Sequence, residues 1–158
     1  MNDSSAEIAA QVINRTIVDG WAQAMGVRFV RASVEEVVAE VELGPQHRQP
    51  YGIVHGGVHC GLIETLASVG AAIVAMGRGQ SVVGLENHTT FLRAARGGRL
   101  TATARPVVTG RRTQVWEGLV HDSEGRLLAT GQVRLLCLEP GAEIAGREAG
   151  PVQGEPGR

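Results

Sequence analysis

The sequence predicts an α+β fold in which an antiparallel sheet wraps around one long central helix. Two observations carry that prediction. Residues 57–77 form an apolar run, rich in small side chains, that is far too long for a strand. After it the hydrophobic period changes to two, over four strand-length segments separated by turn signals. A long apolar helix followed by a meander has to bury itself against the sheet. The chain has 158 residues, enough for one domain with a real core, and shows no internal repeat.

Each element has its own signature. Residues 6–24 carry Ile8, Val12, Ile17, Val18 and Trp21 among polar residues, an amphipathic helix with a break near Asp19-Gly20. Residues 25–30 make a short strand. Val37, Ala39, Val41 and Leu43 alternate with Val38, Glu40 and Glu42, as in a half-buried strand. Residues 44–52 hold two prolines and polar side chains, and form a loop that delivers the chain to the central helix. Next, Val83, Leu85, Asn87, Thr89 and Phe91 share one strand face. Ala95-Arg96-Gly97-Gly98 turns the chain into a strand from Leu100 to about Val108, and Thr109-Gly110-Arg111-Arg112 turns it again. Residues 115–121 form the next strand, Asp122-Ser123-Glu124-Gly125 a β-turn, and residues 127–137 a long last strand. The expected division is an N-terminal helical segment (1–21), the main domain (22–138) and a Gly-, Pro- and Glu-rich tail (139–158), too poor in large apolar residues to order itself.

Composition excludes several classes of partner. Fifteen basic residues, all Arg, stand against 16 acidic ones, a net charge of -1, so nothing draws the chain to nucleic acid or an anionic membrane. Residues 1–10 lack a basic segment followed by an apolar run, so no secretory signal is expected. Residues 58–76 are apolar enough to raise a membrane span, but they contain His59 and Glu64 and lack flanking aromatic and basic anchors, so a buried helix is the reading. Cys60 and Cys137 form no C-x-x-C pair, which suits a reducing, cytoplasmic setting.

The chemistry concentrates in His55-Gly56-Gly57-Val58-His59-Cys60-Gly61-Leu62-Ile63-Glu64. Glu64 is the one formal charge between Gln49 and Gly77, and a buried carboxylate needs partners. A glycine pair just before a helix leaves backbone N–H groups that suit an anion. Together they point to acid or nucleophile chemistry on a polarised carbonyl. His55, His59 and Glu64 raise a metal site, but the glycines put His55 at or before the helix start and spoil the i,i+4 geometry, so no metal is expected. Cys60 reads as a small buried hydrophobe rather than a nucleophile.

These residues resemble the hotdog-fold thioesterases, in particular the subgroup of 4-hydroxybenzoyl-CoA, 1,4-dihydroxy-2-naphthoyl-CoA and phenylacetate-pathway thioesterases. The resemblance rests on Gln49-Pro50-Tyr51-Gly52-Ile53-Val54-His55-Gly56-Gly57, Glu64-Thr65-Leu66-Ala67-Ser68, Val82-Val83-Gly84-Leu85-Glu86, Thr109-Gly110-Arg111-Arg112-Thr113-Gln114-Val115-Trp116 and Gly131-Gln132-Val133-Arg134-Leu135, and covers about residues 22–138. It implies a hotdog fold, hydrolysis of an acyl-CoA without a cofactor, and a homodimer or homotetramer with active sites at the dimer interface. It also implies Arg93, Arg111 and Arg112, with the turn N–H groups of Thr109 and Gly110, as contacts for the nucleotide end of coenzyme A.

Helix geometry points to the interface independently. Glu64 lies about 10 Å along the axis from a helix start near Gly57, too far for one carbonyl to meet both within one subunit. One chain would supply Gln49, His55 and Gly56, its partner Glu64 and Ser68. Gly56 N–H would stabilise the oxyanion, and Glu64 would attack the carbonyl or activate a water. Ser68, four residues on, shares the Glu64 face. Gln49 and His55 would position the reactants. An aryl acyl group is expected, with short or medium chains second. A dehydratase or hydratase on the same fold, or hydrolysis on acyl carrier protein, are the competing readings.

Overall fold

The computed structural model describes residues 3–149. Helices α1 (Asp3–Thr16) and α2 (Gly20–Ala24) precede strands β1 (Arg28–Ala32) and β2 (Val37–Glu42). A 3-10 turn at Pro45–His47 leads into α3 (Gly56–Met76). Then come β3 (Ser81–Phe91), β4 (Arg99–Thr109), β5 (Thr113–Asp122) and β6 (Leu127–Leu138), followed by the two-residue strands β7 (Glu143–Ile144) and β8 (Arg147–Glu148). The six longer strands form one antiparallel sheet in the order β1-β2-β4-β5-β6-β3. The helix α3 packs against five of them, β2 to β6. It is long and apolar enough to cross a membrane by length and composition. Its Leu62, Ile63, Leu66, Ala67 and Ala71 are instead sealed in the core with Val41, Leu100, Trp116 and Val133.

Helix and sheet fit by size complementarity. The Trp116 ring lies where a Cβ on Gly70 would stand, 2.4 Å away, and Ile63 fills the equivalent space at Gly118. A buried polar relay reinforces the contact. Trp116 Nε1 donates to Gln114 Oε1 at 3.0 Å, and Gln114 Nε2 donates to the α3 carbonyl of Ala71 at 3.0 Å. Both side chains are fully buried, so the relay satisfies groups that would otherwise destabilise the core.

The two sheet edges differ. At β1 the Asn14 amide takes the place of a neighbouring strand: its Nδ2 donates to Phe29 O and its Oδ1 accepts from Phe29 N, both at 2.8 Å. The N-terminal helix thus covers this edge, with Ala10 in the core. At the other end β3 pairs with β6 alone among the described residues, and most of its eleven residues are exposed.

Two sequence expectations need correction. A β-bulge between Gly84 and Glu86 breaks the alternation of β3. A Cβ on Gly84 would point at Glu64, and Asn87 bonds to Glu64, so both face α3 although they lie three residues apart. The expected common face of Val83, Leu85, Asn87, Thr89 and Phe91 is therefore split at Leu85. In the segment read as a disordered tail, residues 139–149 form the β7–β8 hairpin. Its turn has positive φ at Ala145 and Gly146 (51° and 77°), and Ser81 Oγ donates to Ala149 O at 2.8 Å. The rest of that expectation, residues 150–158, lies outside the described residues.

Gly70→Val forces a branched side chain into the Trp116 ring, with no exposed path for relief. We expect a loss of about 3 kcal/mol, read from the midpoint of denaturant unfolding. A midpoint within experimental error of wild type would contradict this packing.

Candidate active site

The first group of site residues surrounds the start of α3. His55 is the N-cap, and its Nδ1 accepts from Gly57 N at 2.9 Å, which leaves the ring proton on an exposed Nε2. Val58 N donates to His55 O at 2.9 Å. Gly56 N–H is left as the first-turn donor with no acceptor among the described residues. The Phe91 ring passes so close that a Cβ on Gly56 would stand 2.8 Å from it, so a larger residue here would have to displace that ring. The loop before the helix is pinned by His47, which sequence reasoning passed over. His47 is fully buried, accepts from Gly44 N at 2.8 Å, donates to Met25 O at 2.9 Å, and offers its carbonyl to His55 N at 2.8 Å. Gln49, Gly56, His59, Phe91 and Arg93 line one pocket of about 370 Å³. The Gln49 side chain accepts from Tyr51 N at 3.1 Å.

The second group lies along the same helix, against β3. Glu64 is half-buried. Its Oε2 accepts from Asn87 Nδ2 at 2.9 Å, and Ser68 Oγ stands 3.4 Å from Oε1. Asn87 is itself oriented, because its Oδ1 accepts from Thr89 Oγ1 at 2.7 Å and its Nδ2 also reaches Cys60 O at 3.2 Å. Gly84 leaves room for the carboxylate, since a Cβ there would stand 2.7 Å from Oε1. No Arg pairs with Glu64 among the described residues; its partners are neutral donors. A carboxylate held this way is aimed without being neutralised. Asn87 and Gly84 were invisible as partners in the sequence because the bulge shifts their phase.

Eight residues separate Gly56 from Glu64 on one helix, a rise of about 12 Å. The structure thus gathers Gln49, His55 and Gly56 at one point and Glu64 and Ser68 at another. The candidate nucleotide contacts are also divided. Arg93 stands in the pocket at the first turn of α3, its Nη1 donating to Leu127 O at 2.8 Å. Thr109, Gly110, Arg111 and Arg112 lie beyond the last turn, where the Arg78 guanidinium donates to Thr109 O and Gly110 O, each at 3.1 Å. Arg111 also pairs with Glu139 at 3.5 Å. The length of α3 puts these two groups about 30 Å apart within one chain. Among the described residues no three His, Cys, Asp or Glu side chains gather as a metal-binding group.

The profile of the thioesterase superfamily matches residues 51–129, which contain His55, Gly56, Glu64 and Ser68. The chain belongs to that superfamily. Three relatives from it bracket the similarity. The Rv1847 protein of Mycobacterium tuberculosis is 39% identical over 117 residues, 73% of this chain and 84% of the relative. Its solved structure superposes with a TM-score of 0.74, covering 78% of this chain and 98% of that one. The 1,4-dihydroxy-2-naphthoyl-CoA hydrolase of Escherichia coli is 32% identical over 114 residues, 72% of this chain and 83% of the relative. The proofreading thioesterase EntH of Klebsiella pneumoniae is 31% identical over 124 residues, 78% and 90% respectively. As a superfamily member, the chain has the hotdog fold, a curved antiparallel sheet around a long helix, and its reaction class is thioester hydrolysis.

His59 is buried, and burial lowers its pKa from the ordinary value of 6.5. As the pH falls below about 6.5, the unfolded chain takes up a proton that the folded chain resists. The stability tied to His59 is therefore complete above that pH and declines beneath it. Between about pH 7.5 and about pH 5.5 the Tm of wild type should fall further than that of His59→Gln. Equal slopes in the two proteins would contradict a neutral, buried His59.

Proposed function

We propose that the chain hydrolyses acyl-CoA thioesters at a site assembled from two copies. The observation that carries the reading is the pairing of an open Gly56 N–H with a Glu64 carboxylate held by neutral donors, on one rigid helix and about 12 Å apart. A thioester carbonyl needs its oxygen near the first and its carbon near the second, each within about 3 Å. One chain does not offer that; two chains related by a two-fold axis do. The unpaired β3 edge supports this assembly. It carries Asn87, the partner of Glu64, and Phe91, which packs over Gly56, while the opposite edge is closed by Asn14. Edge pairing through β3 joins the sheets of a dimer, and two such dimers make a tetramer.

In this site Gly56 N–H, reinforced by the helix N-terminus, takes up the negative charge that develops on the carbonyl oxygen. His55 Nε2–H and the Gln49 amide position the carbonyl and the water. The partner's Glu64 reaches the carbonyl carbon directly, forming a mixed anhydride that water then cleaves, or takes a proton from the attacking water. Asn87 and Ser68 keep its oxygens aimed, and the thiolate of coenzyme A leaves. Arg93 of one chain and the Thr109, Gly110, Arg111 and Arg112 turn of the other serve the nucleotide end of the substrate. An aryl acyl group is favoured, with short or medium chains second; the names of the Escherichia coli and Klebsiella pneumoniae relatives support a CoA or related thioester. Two free cysteines fit a cytoplasmic enzyme.

Glu64→Gln keeps the size and the neutral contacts but removes the nucleophile or base. We expect kcat to fall by about 10²-fold or more, with little change in KM. The measurement is release of free thiol from benzoyl-CoA and butyryl-CoA, followed with a disulfide dye. Turnover within twofold of wild type would overturn the proposal.

A further inference from the structure

Among the described residues two polar side chains have no exposure at all, Gln114 and His47. Gln114 has its task in the contact between helix and sheet. His47 ends the three-residue turn Pro45–His47, and a single turn closes too few bonds to hold itself in place. Burying an imidazole is unfavourable unless both ring nitrogens are met. Both are, by Gly44 N at Nδ1 (2.8 Å) and by Met25 O at Nε2 (2.9 Å). A ring that accepts at one nitrogen and donates at the other is the neutral tautomer with its proton on Nε2. The loop that follows is closed on itself: Arg48 and Val54 bridge, and Gln49 N donates to Ile53 O at 2.9 Å. On one side it is held by the bond from Val54 N to Ala95 O at 2.8 Å. On the other side stands His47, whose ring crosses to Met25. From there the contacts continue across the site. Met25 N donates to Trp21 O at 2.9 Å, and the Trp21 ring rests on α3 at Gly61, where a Cβ would stand 2.2 Å from it. Gly61 is three residues before Glu64. A circuit of contacts thus leaves α3 at its first turn and returns to it beside Glu64, with the imidazole as the link between the loop and α2.

We infer that His47 is a positioning residue for the hydrolysis: its ring is the strut that holds Gln49, His55 and the Gly56 N–H in place against the body of α3. The inference rests on the hydrolase reading above and adds to it a residue that works at one remove from the reacting atoms. The route runs through His55. The His47 carbonyl accepts from His55 N at 2.8 Å, and His55 in turn occupies Gly57 N and Val58 N, the neighbours of the open Gly56 N–H. A shift of His47 therefore reaches the first turn of α3. Any residue at position 47 has that carbonyl; only the ring ties it to Met25. An apolar side chain of similar size would fill the space but leave Gly44 N and Met25 O unmet and the loop free to swing about Val54. Misplacement by about 1 Å in a site of this kind costs up to about 10²-fold in rate.

The test uses three variants of the full-length protein. His47→Leu removes both ring bonds. His47→Gln carries an amide nitrogen to the position of Nε2 and keeps the donor to Met25 O, whereas His47→Asn keeps only the acceptor, at the position of Nδ1. Release of free thiol from benzoyl-CoA and butyryl-CoA is followed at a temperature where circular dichroism shows each variant fully folded. In His47→Leu kcat should fall by about tenfold or more with KM within about twofold of wild type. His47→Gln should recover more of the loss than His47→Asn, because the bond to Met25 is the one that crosses to α2. A kcat within about twofold of wild type in folded His47→Leu, or a loss that follows Tm alone across the three variants, overturns the assignment of His47 and leaves the hydrolase reading standing. No turnover of either ester by wild type overturns the hydrolase reading, and this one with it. Hydrogen exchange on the wild-type protein covers a His47→Leu chain that fails to fold. The amides of Gly44 and His55 should exchange at rates closer to those inside β5, which is paired on both sides, than to that of Tyr51, whose acceptor is an exposed side chain. Rates closer to that of Tyr51 contradict a loop held by this strut.

Discussion

Glu64 sets the terms for much of the structure around it. A carboxylate placed midway along an apolar helix must find hydrogen-bond donors or shed its charge. Here the donors are neutral, Ser68 from the next helical turn and Asn87 from β3. Asn87 reaches it beside a bulge at Gly84–Glu86, and the glycine at position 84 leaves the oxygens where they stand. Thr89 in turn fixes the Asn87 amide. The irregularity of β3 is thus the local consequence of one charge on the facing helix, and it leaves the carboxylate aimed yet uncompensated by any cation among the described residues.

The second constraint is the rigidity of α3 itself. Its start is shaped for an anion: the His55 side chain and carbonyl occupy two first-turn N–H groups and leave that of Gly56 open. The helix then carries Glu64 about 12 Å away, and nothing in its packing allows that distance to shrink, since Gly70, Ile63 and Ala71 lock it to Trp116, Gly118 and Gln114. Interior packing of this kind does not deform continuously. This separation is what the proposed two-chain site rests on. The sheet edges, closed by Asn14 at β1 and open at β3 among the described residues, fit that proposal.

Much of this was legible before the structure. The long helix, the four strands after it and the turns at residues 95–98, 109–112 and 122–125 follow from hydrophobic period and turn residues, but the expected four-strand meander does not hold: β4, β5 and β6 run as neighbours, while β3 lies beyond β6 at the sheet edge. Glu64 stood out as a lone charge, and the glycine pair at Gly56-Gly57 as a helix start. What escaped were features set by contacts between distant segments. Asn87 looked like an ordinary strand residue because a bulge, which shifts the period by one, leaves no mark in an alternation of apolar side chains. His59 looked like one polar residue among many until its burial could be seen, with no partner for Nδ1 among the described residues. His47 sat in a polar loop, yet it is fully buried. Arg93 and the 109–112 turn look alike in sequence, as cations on turns; only the three-dimensional course of α3 shows that they belong to opposite ends of that helix. The β7–β8 hairpin depends on backbone turns and a bond from Ser81 rather than on apolar burial, so composition did not reveal it.

The central claim, that each active site takes Gln49 and Gly56 from one chain and Glu64 from another, is tested most directly by mixing two inactive variants. Gln49→Ala and Glu64→Gln, each nearly inactive alone, are unfolded together in equal amounts and refolded. Half of the resulting dimers are mixed, and in each of these one site is intact and the other doubly defective. The account predicts recovery of about a quarter of wild-type thioesterase activity. No recovery above the sum of the two variants, in a sample shown to contain mixed dimers, would contradict it.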